Sequence, residues 1–162
     1  MKLLKHTARL LVAATLFTLP FASFGADEKM ADSSALMQPV KSVLDHYLMI
    51  QAALAKDSIK GVDENASAIA KAVLADKMKM LSSDVATQAG TLAKATDLKA
   101  ARAAFKPLSH SLIKYLADNK AGAGTYHEVF CPMVGASWLQ TEKNIKNPYM
   151  GKAMLSCGEF KN

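Results

Sequence analysis

Apolar residues recur every three or four positions through the middle of the chain, which is the spacing of amphipathic helices. The first such run begins near Gln38-Pro39 and the second follows Asp57, which we expect to cap it. A third covers about residues 85–94, and a fourth starts after the cap Thr96-Asp97. Pro107 lies inside the fourth run, where we expect a kink and not an end. Four such segments with short connections predict an all-α fold, an antiparallel four-helix bundle.

The pattern changes after the Gly-rich run at residues 121–124. Residues 126–130 combine β-branched and aromatic side chains, which is typical of a short strand. Gly, Pro and Asn punctuate the rest, which also holds the single Trp and both Cys. We expect residues 126–160 to form a turn-rich Cys/Met loop, with short strands, packed against the bundle. Such a loop is where functional residues concentrate.

The beginning of the chain is built like a secretory signal peptide. Three basic residues precede an apolar run at residues 10–22, and small residues follow at Ser23 and Gly25. Cleavage after residue 25 predicts export to the periplasm. The apolar run is short for a bilayer span and no second one follows, so the mature chain is not expected to be transmembrane.

The mature chain is expected to contain a flexible lead-in, residues 26–37, and one helical domain, residues 38–162. Hydrophobic residues make up 51% of the sequence, enough for one core, and aromatic residues only 7%, which favours helices. Removing residues 1–25 with their three basic side chains lowers the formal net charge from +6 to +3. The remaining lysines are scattered, so nucleic-acid binding is not expected. Signatures of nucleotide, hydrolase and zinc-protease sites are absent, as is a CxxC motif, and we do not expect an enzyme.

Four sulfur-bearing side chains in the Cys/Met loop suggest a soft-metal site. Cys131 and Met133 are two apart, so in extended backbone they point to the same side. Met154 and Cys157 are three apart and share a face on one helical turn. If the loop folds back, the four sulfurs can converge, and thiolate and thioether ligands select Cu(I) or Ag(I). His127 lies four residues before Cys131, near enough in sequence to add an imidazole.

Plainer interpretations of the same residues stay open. Cys131 and Cys157 of an exported protein can instead form a disulfide that closes the loop. The two methionines can fill an irregular core. His46 and His110 are more typical of solvated or structural histidines than of ligands. We expect Trp138 to pack the loop onto the helices, with its indole N–H on a carbonyl.

These residues carry a resemblance to a known family. The matching residues are Cys131-Pro132-Met133, Gly135-Ala136, Trp138-Leu139-Gln140, Ile145, Asn147-Pro148-Tyr149, Gly151, Met154-Leu155 and Cys157-Gly158. This string resembles the pattern CPM-GA-WLQ-I-NPYFG-ML-CG of a bacterial periplasmic domain family of unknown function. Those domains occur alone or at the C-terminus of heavy-metal efflux membrane-fusion proteins of the CusB-like type. Upstream matches are Tyr47-Leu48, Ala53-Leu54, Asp57 and residues 102–109. Met150 departs from the pattern, which has Phe there, and we expect it to fill the same hydrophobic slot.

The resemblance implies a small helical periplasmic domain that handles copper or silver, with Cys131, Met133, Met154 and Cys157 as candidate ligands. The leading hypothesis is a protein that sequesters Cu(I) or delivers it to an efflux membrane-fusion protein or another envelope metal-handling partner. The alternative is an interaction module of the envelope, without metal, that is stapled by a Cys131–Cys157 disulfide.

Overall fold

A computed structural model describes residues 36–161. Its helices are α1 (Val40–Ala55), α2 (Val62–Ala75), α3 (Ser83–Leu92), α4 (Leu98–Asp118) and a short 3₁₀ helix (Gly151–Met154). Its strands are β1 (His127–Cys131), β2 (Ala136–Gln140) and β3 (Glu159–Phe160). The predicted signal peptide and residues 26–35 of the predicted lead-in lie outside the described residues. Within residues 36–161, no helix has the length and apolar character needed to cross a membrane.

The four predicted helices are present, and each packs on the next one along the chain. The apolar residues that recur at helical spacing in α1 are all buried: Val40, Val43, Leu44, Tyr47, Ile50 and Leu54. The Asp97 side chain caps α4 by accepting the backbone N–H of Ala100 at 2.8 Å, as predicted. α4 continues through Pro107, as expected. Pro107 and Ala103, whose carbonyl loses its partner there, both lie on the exposed side of α4, where water can replace the missing N–H.

The prediction that Asp57 caps the second helix is wrong. α2 begins at Val62 behind Gly61, which has a left-handed backbone with φ +78°. Asp57 lies in the connecting turn, and its carboxylate accepts from the guanidinium of Arg102 on α4 at 2.6 Å. The Asp57 side chain therefore forms a long-range ion pair and not the helix cap that the local sequence pattern predicts.

The fold class is mostly helical and not all-α, because the C-terminal part forms a three-stranded antiparallel sheet in the order β2-β1-β3. β1 and β2 are a hairpin in which Val129 pairs with Trp138 and Cys131 with Ala136. β3 pairs along the other edge of β1, with Phe130 opposite Glu159. Sequence pattern predicted the first strand within one residue but interpreted the second as loop.

Buried aromatic rings join the helices to the sheet. Tyr47 of α1 stacks on Phe105 of α4 with ring centroids 4.9 Å apart. Tyr149 contacts Phe105 on one side and Trp138 on the other, at 5.9 and 6.0 Å. The Tyr47 hydroxyl also accepts the backbone N–H of Leu139 in β2 at 3.0 Å. Trp138 is fully buried, and its indole N–H donates to a side-chain amide carbonyl. The loop is thus anchored as predicted for this tryptophan.

Candidate functional site

The two cysteines meet beside the sheet. Cys131 ends β1, and Cys157 lies two residues before β3. Because β3 pairs with the end of β1, the two residues are brought together although they are 26 apart in sequence. Their sulfur atoms are 2.9 Å apart, and both thiols are free. Cys131 is fully buried, whereas Cys157 is partly exposed. One buried and one reachable thiol form the centre of the site.

Asn147 holds this arrangement in place. Its side chain is fully buried, and its carbonyl oxygen accepts the backbone N–H groups of Tyr149 and Met150 at 2.8 and 3.0 Å. Its amide donates to the carbonyl oxygen of Cys157 at 2.7 Å. One side chain therefore shapes the turn at residues 147–150 and fixes the segment that carries Cys157.

The surroundings make the two thiols unequal. Burial raises the pKa of Cys131, but interactions with the Cys157 thiol, the Val134 backbone N–H and the Asn147 side chain outweigh it and lower the pKa below its ordinary value. The pKa of Cys157 is raised, first by its interaction with Cys131 and then by burial. The first thiolate therefore forms at Cys131, and the Cys157 thiol donates a hydrogen bond to it.

The two methionines of the predicted ligand set lie at the surface. Met133 is 66% exposed in the turn between β1 and β2, so the extended backbone expected between Cys131 and Met133 is not found. Met154 ends the 3₁₀ helix and is 37% exposed, and its carbonyl accepts the backbone N–H of Cys157 at 3.0 Å. The structure brings together the two thiols, whereas both thioethers reach solvent.

The histidines are dispersed. His127 is at the opposite end of β1 from Cys131, about 13 Å away along an extended strand, and its ring packs edge-on against Phe160. His46 pairs with the side chain of Asn65 at 2.8 Å, and His110 is exposed on α4. Among residues 36–161, no three His, Cys, Asp or Glu side chains cluster as a metal site.

A partly exposed clamp positions the loop beside the thiols. The Arg102 guanidinium donates to the carbonyl oxygens of Pro148 at 2.8 Å and Leu54 at 3.0 Å, besides its ion pair with Asp57. The Asp57 carboxylate also accepts the backbone N–H of Lys152 at 3.1 Å. These contacts tie the α1–α2 turn, α4 and the loop together. Sequence reasoning missed this role, and the only available signal was that Asp57 and Arg102 both lie in the segments that resembled the family.

The hairpin also borders a groove of about 670 Å³, which we call the α4 groove. Its lining residues are Leu98, Lys99, Arg102, Ala103, Lys106, Met133, Val134, Tyr149 and Met150. Met133 and Met150 thus line the same groove, although Met150 was expected to fill only a hydrophobic slot.

The site is a pair of adjacent cysteines beside a small sheet that is clamped to a helical domain. Residues 43–124 match the model of a family described as a protein of unknown function (DUF3347), and the chain belongs to that family. The matched region covers most of α1 and all of α2, α3 and α4, and it ends before both cysteines. Neither a curated protein nor a solved structure matches the chain.

Proposed function

We propose that this chain binds a soft monovalent cation, Cu(I) or Ag(I), through Cys131 and Cys157, and that it sequesters the ion in the periplasm or delivers it to an efflux system. The observation that carries the proposal is the 2.9 Å separation of two free sulfur atoms, one of which has a lowered pKa. The exported location and the efflux partner are supported by the leader-like N-terminus and by the resemblance to domains attached to CusB-like proteins.

The chemistry of the pair suits a soft ion. Thiolates are the soft ligands that favour Cu(I), and ligands must lose their protons to bind. Cys131 supplies the first thiolate at low cost, and the bound cation then lowers the pKa of Cys157. The two sulfur atoms must move apart to bind an ion between them, and the partly exposed Cys157 segment is the one that moves outward. Met133 and Met154 are the candidate thioethers that complete the coordination once their turns move toward the thiols.

Competition for Cu(I) against a chromophoric chelator tests this site. We expect Cys131→Ser and Cys157→Ser each to weaken Cu(I) binding by about 100-fold or more, because even residues outside the ligand set change metal affinity by about 10–100-fold. Met133→Leu and Met154→Leu should each weaken it by about tenfold. Met78→Leu, which removes a thioether that is 72% exposed, is the matched control and should leave the affinity unchanged. Wild-type affinity in both cysteine variants would overturn the proposal.

The same distance supports a second candidate, an envelope interaction module stapled by a Cys131–Cys157 disulfide and free of metal. Closing a loop whose ends are 26 positions apart would stabilise the fold by about 3.5 kcal/mol in the chain-entropy model. Alkylation and mass spectrometry of protein taken from the cell envelope separate the two candidates. Two free thiols, or two thiols released when a chelator removes the metal, favour the metal site, whereas no thiols without a reductant favour the staple.

A further inference from the structure

The α4 groove has a charged rim along one helix. Lys99, Arg102 and Lys106 lie on successive turns of α4 along the groove, and no acidic side chain lines it in the part of the chain that the structure describes. The Arg102 charge is matched by Asp57 at 2.6 Å. Lys99 and Lys106 are exposed, and the Lys106 ammonium lies 5.8 Å over the Tyr149 ring. The two lysines therefore give the groove a positive potential.

The floor of the groove is apolar and adaptable. Met133 is 66% exposed, and Met150 is partly buried beside Tyr149. Unbranched thioether side chains can repack around different apolar groups, which is why methionine is common at binding surfaces. The exposed Met133 lies beside two lysines that form no ion pair within residues 36–161, although the Lys106 ammonium donates to the Val134 carbonyl oxygen at 3.4 Å. This surface can accept a group that is both apolar and negative.

We propose that the α4 groove docks an acidic segment of a partner protein. Its carboxylates lie beside Lys99 and Lys106, and an apolar side chain between them packs on Met133 and Met150. The two lysines are seven residues apart, which is about 10 Å along the helix and about three residues of an extended peptide. Charge complementarity selects an acidic peptide over a basic or neutral one, since like charges across an interface are strongly unfavourable.

The groove adjoins the thiol pair. The turn that carries Met133 and Val134 forms one wall, and the backbone N–H groups of the same two residues are among those that favour the Cys131 thiolate. A partner seated in the groove therefore contacts the turn that follows Cys131. The idea that this partner exchanges Cu(I) or Ag(I) with the chain rests on the proposed function. The docking itself does not need the metal.

Methionine-methyl NMR tests the docking on reduced, metal-free protein labelled with ¹³C at the methionine methyl groups. The probe is a capped hexapeptide, Asp-Glu-Leu-Leu-Asp-Glu, with Asn-Gln-Leu-Leu-Asn-Gln as its neutral control. We expect saturable shifts of the Met133 and Met150 signals and none at Met78. The double variant Lys99→Glu/Lys106→Glu should weaken binding by about tenfold or more, and added salt should weaken it in the wild type.

The matched control reverses two exposed lysines away from the groove, Lys60→Glu/Lys143→Glu, and should bind the acidic peptide like the wild type. Absence of shifts at millimolar peptide, equal binding of the neutral peptide, or an equal loss in the control variant would overturn the proposal. A vesicle experiment gives one more overturning result. If the protein sediments with phosphatidylglycerol vesicles only when Lys99 and Lys106 are present, and the peptide does not bind, the lysines belong to a lipid-binding surface. Since no metal is present, a failure here is distinguishable from a failure of Cu(I) binding.

Discussion

Replacing Asn147 with alanine is the sharpest test of how the site is held together. The side chain is fully buried and satisfies three backbone groups: the N–H of Tyr149, the N–H of Met150 and the carbonyl of Cys157. Alanine offers neither a donor nor an acceptor, so all three lose their partner at once. The turn and the Cys157 segment both depend on the same side chain.

The structure sets the expected magnitude. A buried polar group left without a partner costs about 1–3 kcal/mol. Three such groups at the lower end of that range predict a loss of about 3 kcal/mol in the free energy of unfolding for Asn147→Ala. Asn147→Asp keeps the acceptor for the two N–H groups, but it loses the donor to Cys157 and buries a carboxylate against that carbonyl oxygen. Its loss should therefore be no smaller than that of Asn147→Ala.

Urea unfolding of reduced protein, followed by the fluorescence of the buried Trp138, measures these losses. Asn144→Ala is the matched control, because Asn144 is exposed in the same loop, and its loss should stay within about 0.5 kcal/mol. A loss below about 1 kcal/mol for Asn147→Ala would refute the assignment of Asn147 as the residue that organises the loop.

Two further predictions concern the clamp. Gly151 has φ +56°, and a Cβ there would overlap the Asp57 carboxylate and the Arg102 guanidinium, so Gly151→Ala should destabilise the fold by about 2 kcal/mol in urea unfolding. Gly90→Ala in α3, where a Cβ meets nothing within 4 Å, should instead be neutral or stabilising, and equal effects of the two substitutions would contradict the clamp. The hydrogen bond from Arg102 lowers the pKa of Asp57 below 3.8, so its contribution is present above pH 3.8 and is lost as the pH falls through the lowered value. The stability of Asp57→Asn should therefore fall less than that of the wild type over this acid range, and parallel unfolding profiles would count against it.

The sequence alone determined the helical part of this protein. The four helices follow from apolar spacing, and the cap at Asp97 and the passage of α4 through Pro107 follow from residues within one or two turns of each other. The burial of Trp138 was also predictable, because a large apolar ring in a turn-rich loop needs a core to pack on. These features depend on neighbours in sequence, so the pattern contains the information.

Only the tertiary structure decided how the site is built. Asp57 pairs with Arg102, 45 residues away, instead of capping the helix that follows it. Asn147 reaches Cys157 across ten residues, and Cys131 meets Cys157 because β3 pairs with β1. Such contacts form when packing brings distant segments together. Burial removes water from a polar group, and a polar side chain from another segment then becomes its hydrogen-bond partner. The local sequence pattern does not encode that partner. The sequence therefore predicts the two thiols as site residues but not Asp57, Arg102 and Asn147, which position them.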